Sequence, residues 1–217
     1  MYYVNYENLL YDYTDCNQDS KYSIKYLNLS HDMHNLSGDS YRIIRLAEIE
    51  NADFSYNNMS NFDAEMMAGS YDSLQSLVLQ SNKFCVVPST VAVFTNLREL
   101  NIGDNKITYI RISNPNIETL VASGIKNAHV LEQITNLESL RALFCGFNNI
   151  ASVPPLSATL TNLYKLVINY NKLTEIDNTI CNLVTLKQLH INSNYISHIN
   201  KNISKLVIIR GGYLFFR

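Results

Sequence analysis

Cysteine, charge and long apolar runs are all scarce in this chain, and each scarcity removes a class of protein. The four cysteines, Cys16, Cys85, Cys145 and Cys181, show neither CxxC spacing nor the pattern of a disulfide-stapled cap. Charged residues make up 17% of the chain, too few for a disordered tail, while a hydrophobic content of 47% is ordinary for a folded protein. Lysine and arginine never cluster densely enough for a nucleic-acid footprint, so no nucleic-acid partner is expected. No segment approaches the roughly 18 apolar residues that cross a bilayer. The start, MYYVNYENLLYDYTD, has no positive leader region and no apolar stretch of signal-peptide length. These features predict a soluble cytoplasmic protein with no membrane partner.

Catalytic signatures are missing too. There is no phosphate-cradling GxxxxGK[ST] and no GxSxG elbow. His31 and His34 stand three apart in SHDMHN with only Asp32 beside them, which describes a solvated turn better than a metal site. No catalytic residue, metal or cofactor is expected, and the chain is not read as an enzyme.

What is present is a period. LKQLHINSN (Leu186 to Asn194) follows LYKLVINYN (Leu163 to Asn171) by 23 residues, which follows LRALFCGFN (Leu140 to Asn148) by another 23. Upstream the frame continues as LRELNIGDN (Leu97 to Asn105), LQSLVLQSN (Leu74 to Asn82) and, more loosely, IENADFSYN (Ile49 to Asn57) and IKYLNLSHD (Ile24 to Asp32). A fixed period of this length means stacked units that cannot bury their apolar faces alone. Within each nine-residue frame the first, fourth and sixth positions are apolar. The alternation around positions four to six predicts a short strand with one buried side. Position nine is asparagine in six copies: Asn57, Asn82, Asn105, Asn148, Asn171 and Asn194. An asparagine carboxamide can bond the backbone groups freed at a sharp turn. Stacked copies therefore predict an internal ladder, each bond worth on the order of 1 kcal/mol net.

The frame LxxLxLxxNxL, followed by stretches such as FCVVPSTVAVFTNL (Phe84 to Leu97) and LTEIDNTICNLVTL (Leu173 to Leu186), resembles a leucine-rich repeat protein. The 23-residue copies are similar to the intracellular, Ras-suppressor-like repeat class. The resemblance implies an α/β leucine-rich repeat solenoid, or horseshoe. A parallel β-sheet would form its concave face, with short helices, 3₁₀ turns and loops on the convex face. It also implies a role in protein–protein interaction, since such folds host many unrelated partners.

Three segments follow from the frame. Residues 1–23, with tyrosines and the acidic Glu7, Asp12, Asp15 and Asp19, are expected to cap the first repeat, with a short helix over Tyr6 to Tyr11. About nine repeats are expected over residues 24–210. Residues 211–217, GGYLFFR, form a short tail that caps the last repeat or exposes an edge where another copy packs. The early convex segments read as helices, one over Ser40 to Ile49 with Ser40 as cap and one capped by Asn61. Val87-Pro88 and Val153-Pro154-Pro155 favour extended or 3₁₀ segments later on. The fifth copy, IETLVASGI (Ile117 to Ile125), comes after only 20 residues and puts Ile125 in the asparagine slot, which predicts a local irregularity. A final copy is expected at ISKLVIIRG (Ile203 to Gly211).

Strands spaced about 4.8 Å apart would make a concave wall roughly 40 Å long. Its central outward column runs Asn28, Asp53, Val78, Asn101, Val121, Phe144, Val167, His190, Val207, polar at first and largely apolar from Val121 onward. Exposed apolar and aromatic groups gathered on one face mark partner sites. The candidate protein-binding patch is Phe144, Phe147, Tyr164, Val167 and Tyr170, rimmed by Arg141, Lys165, Lys187 and His190. The plainer reading is that these rings pack along neighbouring repeats and stiffen the sheet. His190 has no carboxylate or cysteine at matching strand positions, so it is not read as a proton-transfer group.

Charge is uneven: residues 1–72 carry 12 acidic and 4 basic side chains, residues 73–217 carry 7 and 13. Along a rod this asymmetry can orient a partner. The expected role is a freestanding protein-binding scaffold, adaptor or inhibitor, monomeric or weakly self-associating through its C-terminal end. The alternatives are a self-associating structural protein, or a regulatory subunit of a phosphatase, GTPase pathway or ubiquitin ligase.

Overall fold

The computed structural model describes residues 3–4, 24–36, 38–206 and 213–215, the first and last of these stretches by backbone alone. The helix expected over Tyr6 to Tyr11 and the column position Val207 lie outside the described residues.

Each frame from Ile24 to Asn194 contributes one short strand, and the segments expected as cap and tail add one each. These are β1 (Tyr3–Val4), β2 (Tyr26–Asn28), β3 (Asn51–Asp53), β4 (Ser76–Val78), β5 (Glu99–Asn101), β6 (Thr119–Val121), β7 (Ala142–Phe144) and β8 (Lys165–Val167). After β9 (Glu175–Ile176) the series resumes with β10 (Gln188–His190), β11 (His198–Ile199) and β12 (Tyr213–Phe215). Ten of these form one sheet in the order β1-β2-β3-β4-β5-β6-β7-β8-β10-β12. Every neighbouring pair is parallel and in step, so that Leu100, Leu120, Leu143, Leu166 and Leu189 lie in one row. β9 and β11 pair separately, away from that sheet. This is a leucine-rich repeat solenoid, each turn adding one strand to a parallel wall.

The rows explain the sequence pattern. Positions one, four and six of the frame point inward and are buried, as for Leu97, Leu100 and Ile102 or Leu163, Leu166 and Ile168. The connecting segments close the other side. In the N-terminal half that side is filled by phenylalanines: Phe62, Phe84 and Phe94 are buried, and Phe62 meets Phe54 of the strand side edge to face at 5.5 Å. Further along, Leu, Ile and Val take over, and Cys145 sits among them as a fully buried thiol whose pKa is raised well above the ordinary range by burial.

The convex segments differ from expectation in detail. A helix spans Gly38–Leu46, so Ser40 is a buried residue within it rather than its cap. The second segment, Ala64–Ser70, is a kinked 3₁₀ helix capped by Asp63, whose carboxylate accepts the Glu65 N–H at 3.0 Å; Asn61 does not cap it. Short 3₁₀ helices at Ser89–Val93 and Leu156–Ala158 follow the prolines. The last unit is also corrected. Lys201–Lys205 is a 3₁₀ helix, and the strand beside β10 in the sheet is β12, with Gln188 facing Tyr213; residues 207–211 of the expected copy lie outside the described residues. The tail thus supplies a strand to the sheet.

Candidate protein-binding site on the concave wall

Two sets of side chains define the inner edge of the stack: the asparagines that hold its turns and the outward residues those turns present. At Asn105 the carboxamide Nδ2 reaches Leu79 O of the preceding coil at 2.9 Å and Ile102 O and Gly103 O of its own coil at 3.0 Å. Its Oδ1 accepts the Phe84 N–H at 3.1 Å. Asn57, Asn82, Asn171 and Asn194 repeat the arrangement, each donating to Leu29, Phe54, Cys145 and Ile168 respectively in the coil before. One carboxamide therefore satisfies several backbone groups that burial would otherwise strand.

Asn148 departs from this pattern. It donates to Ala122 O and Cys145 O, but its Oδ1 is buried with no partner among the described residues. The preceding coil is the irregular one. Ile125 fills its asparagine slot, and Asn127, two residues later, turns away to donate to Thr108 O and Gln133 Oε1. At Asn82, Asn105, Asn171 and Asn194 the Oδ1 accepts the backbone N–H two residues after the slot of the preceding coil, that of Met59, Phe84, Ile150 and Leu173 respectively.

A second row of polar bridges ties coil to coil, and sequence reasoning did not identify it. Ser73, Asn96, Asn116, Asn162 and Thr185 each donate to a carbonyl of the preceding coil: Ile49, Asp72, Thr95, Glu138 and Leu163. All five sit one residue before the first position of a frame, and two of them belong to identical triplets, Thr95-Asn96-Leu97 and Thr161-Asn162-Leu163.

Just before each asparagine slot the backbone is left-handed. Positive φ occurs at His31, Tyr56, Ser81, Asp104, Gly124, Phe147, Tyr170 and Ser193. Where two consecutive coils carry rings there, the rings stack: His31 on Tyr56 at 4.8 Å, and Phe147 on Tyr170 at 4.2 Å. His31 is thus a stacked surface ring. Among the described residues no group of three or more His, Cys, Asp and Glu is placed to hold a metal.

The proposed patch lies together on the later strands. Phe144 and Val167 face each other in register on β7 and β8, and His190 follows on β10. Lys165 Nζ lies 5.0 Å from the centre of the Phe144 ring, a cation–π contact. Phe147 and Tyr170 are about half exposed, and Tyr164 is exposed. Tyr164, Arg141 and Lys187 line an open groove with Glu118, Ser139, Asn162 and Gln188. Arg141 meets Glu118 at 3.6 Å, and Glu118 also pairs with Arg98, making it the hub of a charge row that sequence reasoning missed. Reading the second position of successive frames, from Arg98 to Glu118 to Arg141, would have found it. His190 is held below the ordinary imidazole pKa, first by burial and then by the Lys165 charge.

The stretch 138–178 matches the family model for leucine-rich repeats in two copies. No curated protein matches the chain. Among solved structures, TLR13 in complex with a single-stranded RNA is similar at a TM-score of 0.68 and 18% identity, over 82% of this chain and 26% of that one. A leucine-rich repeat protein of Leptospira interrogans is similar at a TM-score of 0.64 and 19% identity, over 79% of this chain and 49% of that one. An internalin of Listeria monocytogenes is similar at a TM-score of 0.59 and 20% identity, over 81% and 60%. The chain spans about a quarter to three fifths of the length of these three structures.

Proposed function

We propose, starting from the fact that this chain is built as a leucine-rich repeat solenoid, that it is a non-enzymatic binding module that captures a partner protein on its concave wall. The observation that carries this reading is the exposed Phe147, Tyr164 and Tyr170 gathered around the half-buried Phe144 and Val167 of the adjoining β7 and β8, where a solvent-facing wall would otherwise be polar. Rings at the centre and the cations Arg141, Lys165 and Lys187 around them follow the composition of interface cores and rims. The free thiols of Cys85, Cys145 and Cys181 suit a reducing compartment, the cytoplasm.

The test is the double variant Phe144→Ser/Tyr170→Ser. Affinity capture from source-cell extract, followed by mass spectrometry, should identify a partner with the wild-type protein and lose it with the variant. The melting temperature should shift by only a few degrees, since about 1 kcal/mol of ring stacking is removed. A large fall in melting temperature would instead assign the rings to stiffening the sheet.

A second reading has its own support. β12 stands at the end of the sheet with β10 as its neighbour, and an open strand edge can pair with another chain. Light scattering over a range of concentrations distinguishes self-association from a monomeric binder.

A further inference from the structure

The concave wall is not only aromatic; its charges are unequally matched. From β6 to β10 the outward positions carry three cations, Arg141, Lys165 and Lys187, and one acid, Glu118. Glu118 already lies between Arg98 and Arg141. Neither Lys165 nor Lys187 forms an ion pair among the described residues. Lys165 instead rests over the Phe144 ring, which holds its ammonium at the floor of the aromatic patch.

The other half of the wall has the opposite character. On β2 to β5 and the turns beside them, four acids, Glu50, Asp53, Glu99 and Asp104, face outward against two cations, Lys25, which pairs with Glu50 at 2.9 Å, and Arg98, which pairs with Glu118. Two of these acids are held in place: Asp53 by the Ser55 N–H and Asp104 by Gln80 Nε2, both at 2.8 Å. An anionic ligand would be repelled there and drawn to the later strands, so the wall fixes where it sits.

We propose that the segment captured on this wall is an extended, acidic stretch of polypeptide. Its carboxylates would meet Lys165, Lys187 and Arg141, and its apolar side chains would lie on Phe144, Val167 and Tyr170. The inference rests on the concave wall being the docking face and adds the chemistry of the partner. The open groove lined by Arg141, Tyr164, Lys187 and Gln188 runs across neighbouring strands, as an extended chain requires. A single-stranded nucleic acid fits less well. Phe147 and Tyr170 are stacked at 4.2 Å and each spends one face on the other, so no base can enter between them.

The experiment is selection of phage-displayed random peptides of about twelve residues on the full chain. Selected peptides are then resynthesised and titrated by fluorescence anisotropy at low and moderate salt. Three proteins are compared: wild type, Lys165→Glu/Lys187→Glu and Phe144→Ser/Tyr170→Ser. The expected result is net-negative peptides whose affinity falls with salt, and falls by about tenfold or more in the charge-reversed variant. Both variants should keep the wild-type circular dichroism.

Failure of the acidic character and failure of the docking face give different results. Uncharged or basic peptides that are lost only in the aromatic variant overturn the first and leave the second standing. Acidic peptides that bind both variants as tightly as wild type overturn both. Selection that enriches no peptide overturns the acidic segment as ligand. Tighter binding of a labelled single-stranded RNA of about twelve nucleotides, lost in the charge-reversed variant, also overturns it and assigns the wall to nucleic acid.

Discussion

The rings of Phe147 and Tyr170 lie 4.2 Å apart and within 10° of parallel, although both residues hold left-handed backbone at φ 59° and 54°. A left-handed φ costs a residue with a β-carbon roughly 1–2 kcal/mol, and a stacked pair returns about 0.5–1.5 kcal/mol. Two strained residues cost more than the one stack they share returns, so the stack offsets only part of the strain. Phe147→Ala loses the stack and keeps the strain, whereas Phe147→Gly loses the stack and relieves the strain. Urea denaturation should therefore find Phe147→Gly more stable than Phe147→Ala by about 1 kcal/mol. The reverse order would mean that the backbone there is not strained.

Why these rings meet was only half legible in the sequence. Phe147 and Tyr170 occupy the same frame position 23 residues apart, which a column reading detects. That they stack on each other, and do not stand free toward a partner, depends on the left-handed turn that aims both, a turn present before every slot of the stack whether or not an asparagine fills it. The buried columns were fully legible, because three apolar positions in register leave one way to stack the coils. The convex caps were not. Asp63 caps where Asn61 was expected because the segment is a 3₁₀ helix that begins a residue or two later, and both side chains suit a cap equally. The last strand was misplaced for a related reason. ISKLVIIRG imitates the apolar spacing of a frame, yet Lys201–Lys205 closes the convex side, and Tyr213 follows Gln188 at the same interval that separates Tyr26 from Asn51.

The buried phenylalanines make a second prediction, about where stability is concentrated. Phe94 is fully buried and touches Phe62 and Tyr71, with ring centroids 6.3 and 5.8 Å away. Phe94→Ala should cost about 3–5 kcal/mol through lost burial and the cavity left behind. Phe147→Ala on the surface should cost far less. Chemical denaturation of the two variants in parallel checks the contrast, and equal losses would mean that the spine is not close-packed.

The ladder predicts an unequal pair of losses. Asn105 satisfies three carbonyls and one N–H, all by its carboxamide. Asn148 donates to two carbonyls and buries an oxygen that has no partner among the described residues. Stranding buried backbone groups costs about 1–3 kcal/mol each, and an unpartnered oxygen already carries such a cost in the native protein. Asn105→Ala should therefore destabilise the fold more than Asn148→Ala, by about 1–2 kcal/mol. Urea midpoints at matched slopes measure the difference; a larger loss at Asn148 would show that its oxygen is satisfied in solution.

His190 predicts a pH dependence with a definite sign. Burial, followed by the Lys165 charge, opposes protonation in the folded state, so the folded pKa lies below the ordinary value near 6.5. As pH falls through that ordinary value, the unfolded chain takes up a proton that the folded chain refuses, and stability declines. The decline ends once pH passes below the folded pKa, where both states are protonated. His190→Gln should flatten this part of the stability profile. Lys165→Gln should raise the His190 pKa toward its ordinary value, because one of the two opposing causes is gone. An NMR titration of the imidazole reads both effects directly: a wild-type pKa at or above about 6.5, or no rise in Lys165→Gln, would remove the ammonium of Lys165 from the surroundings of His190.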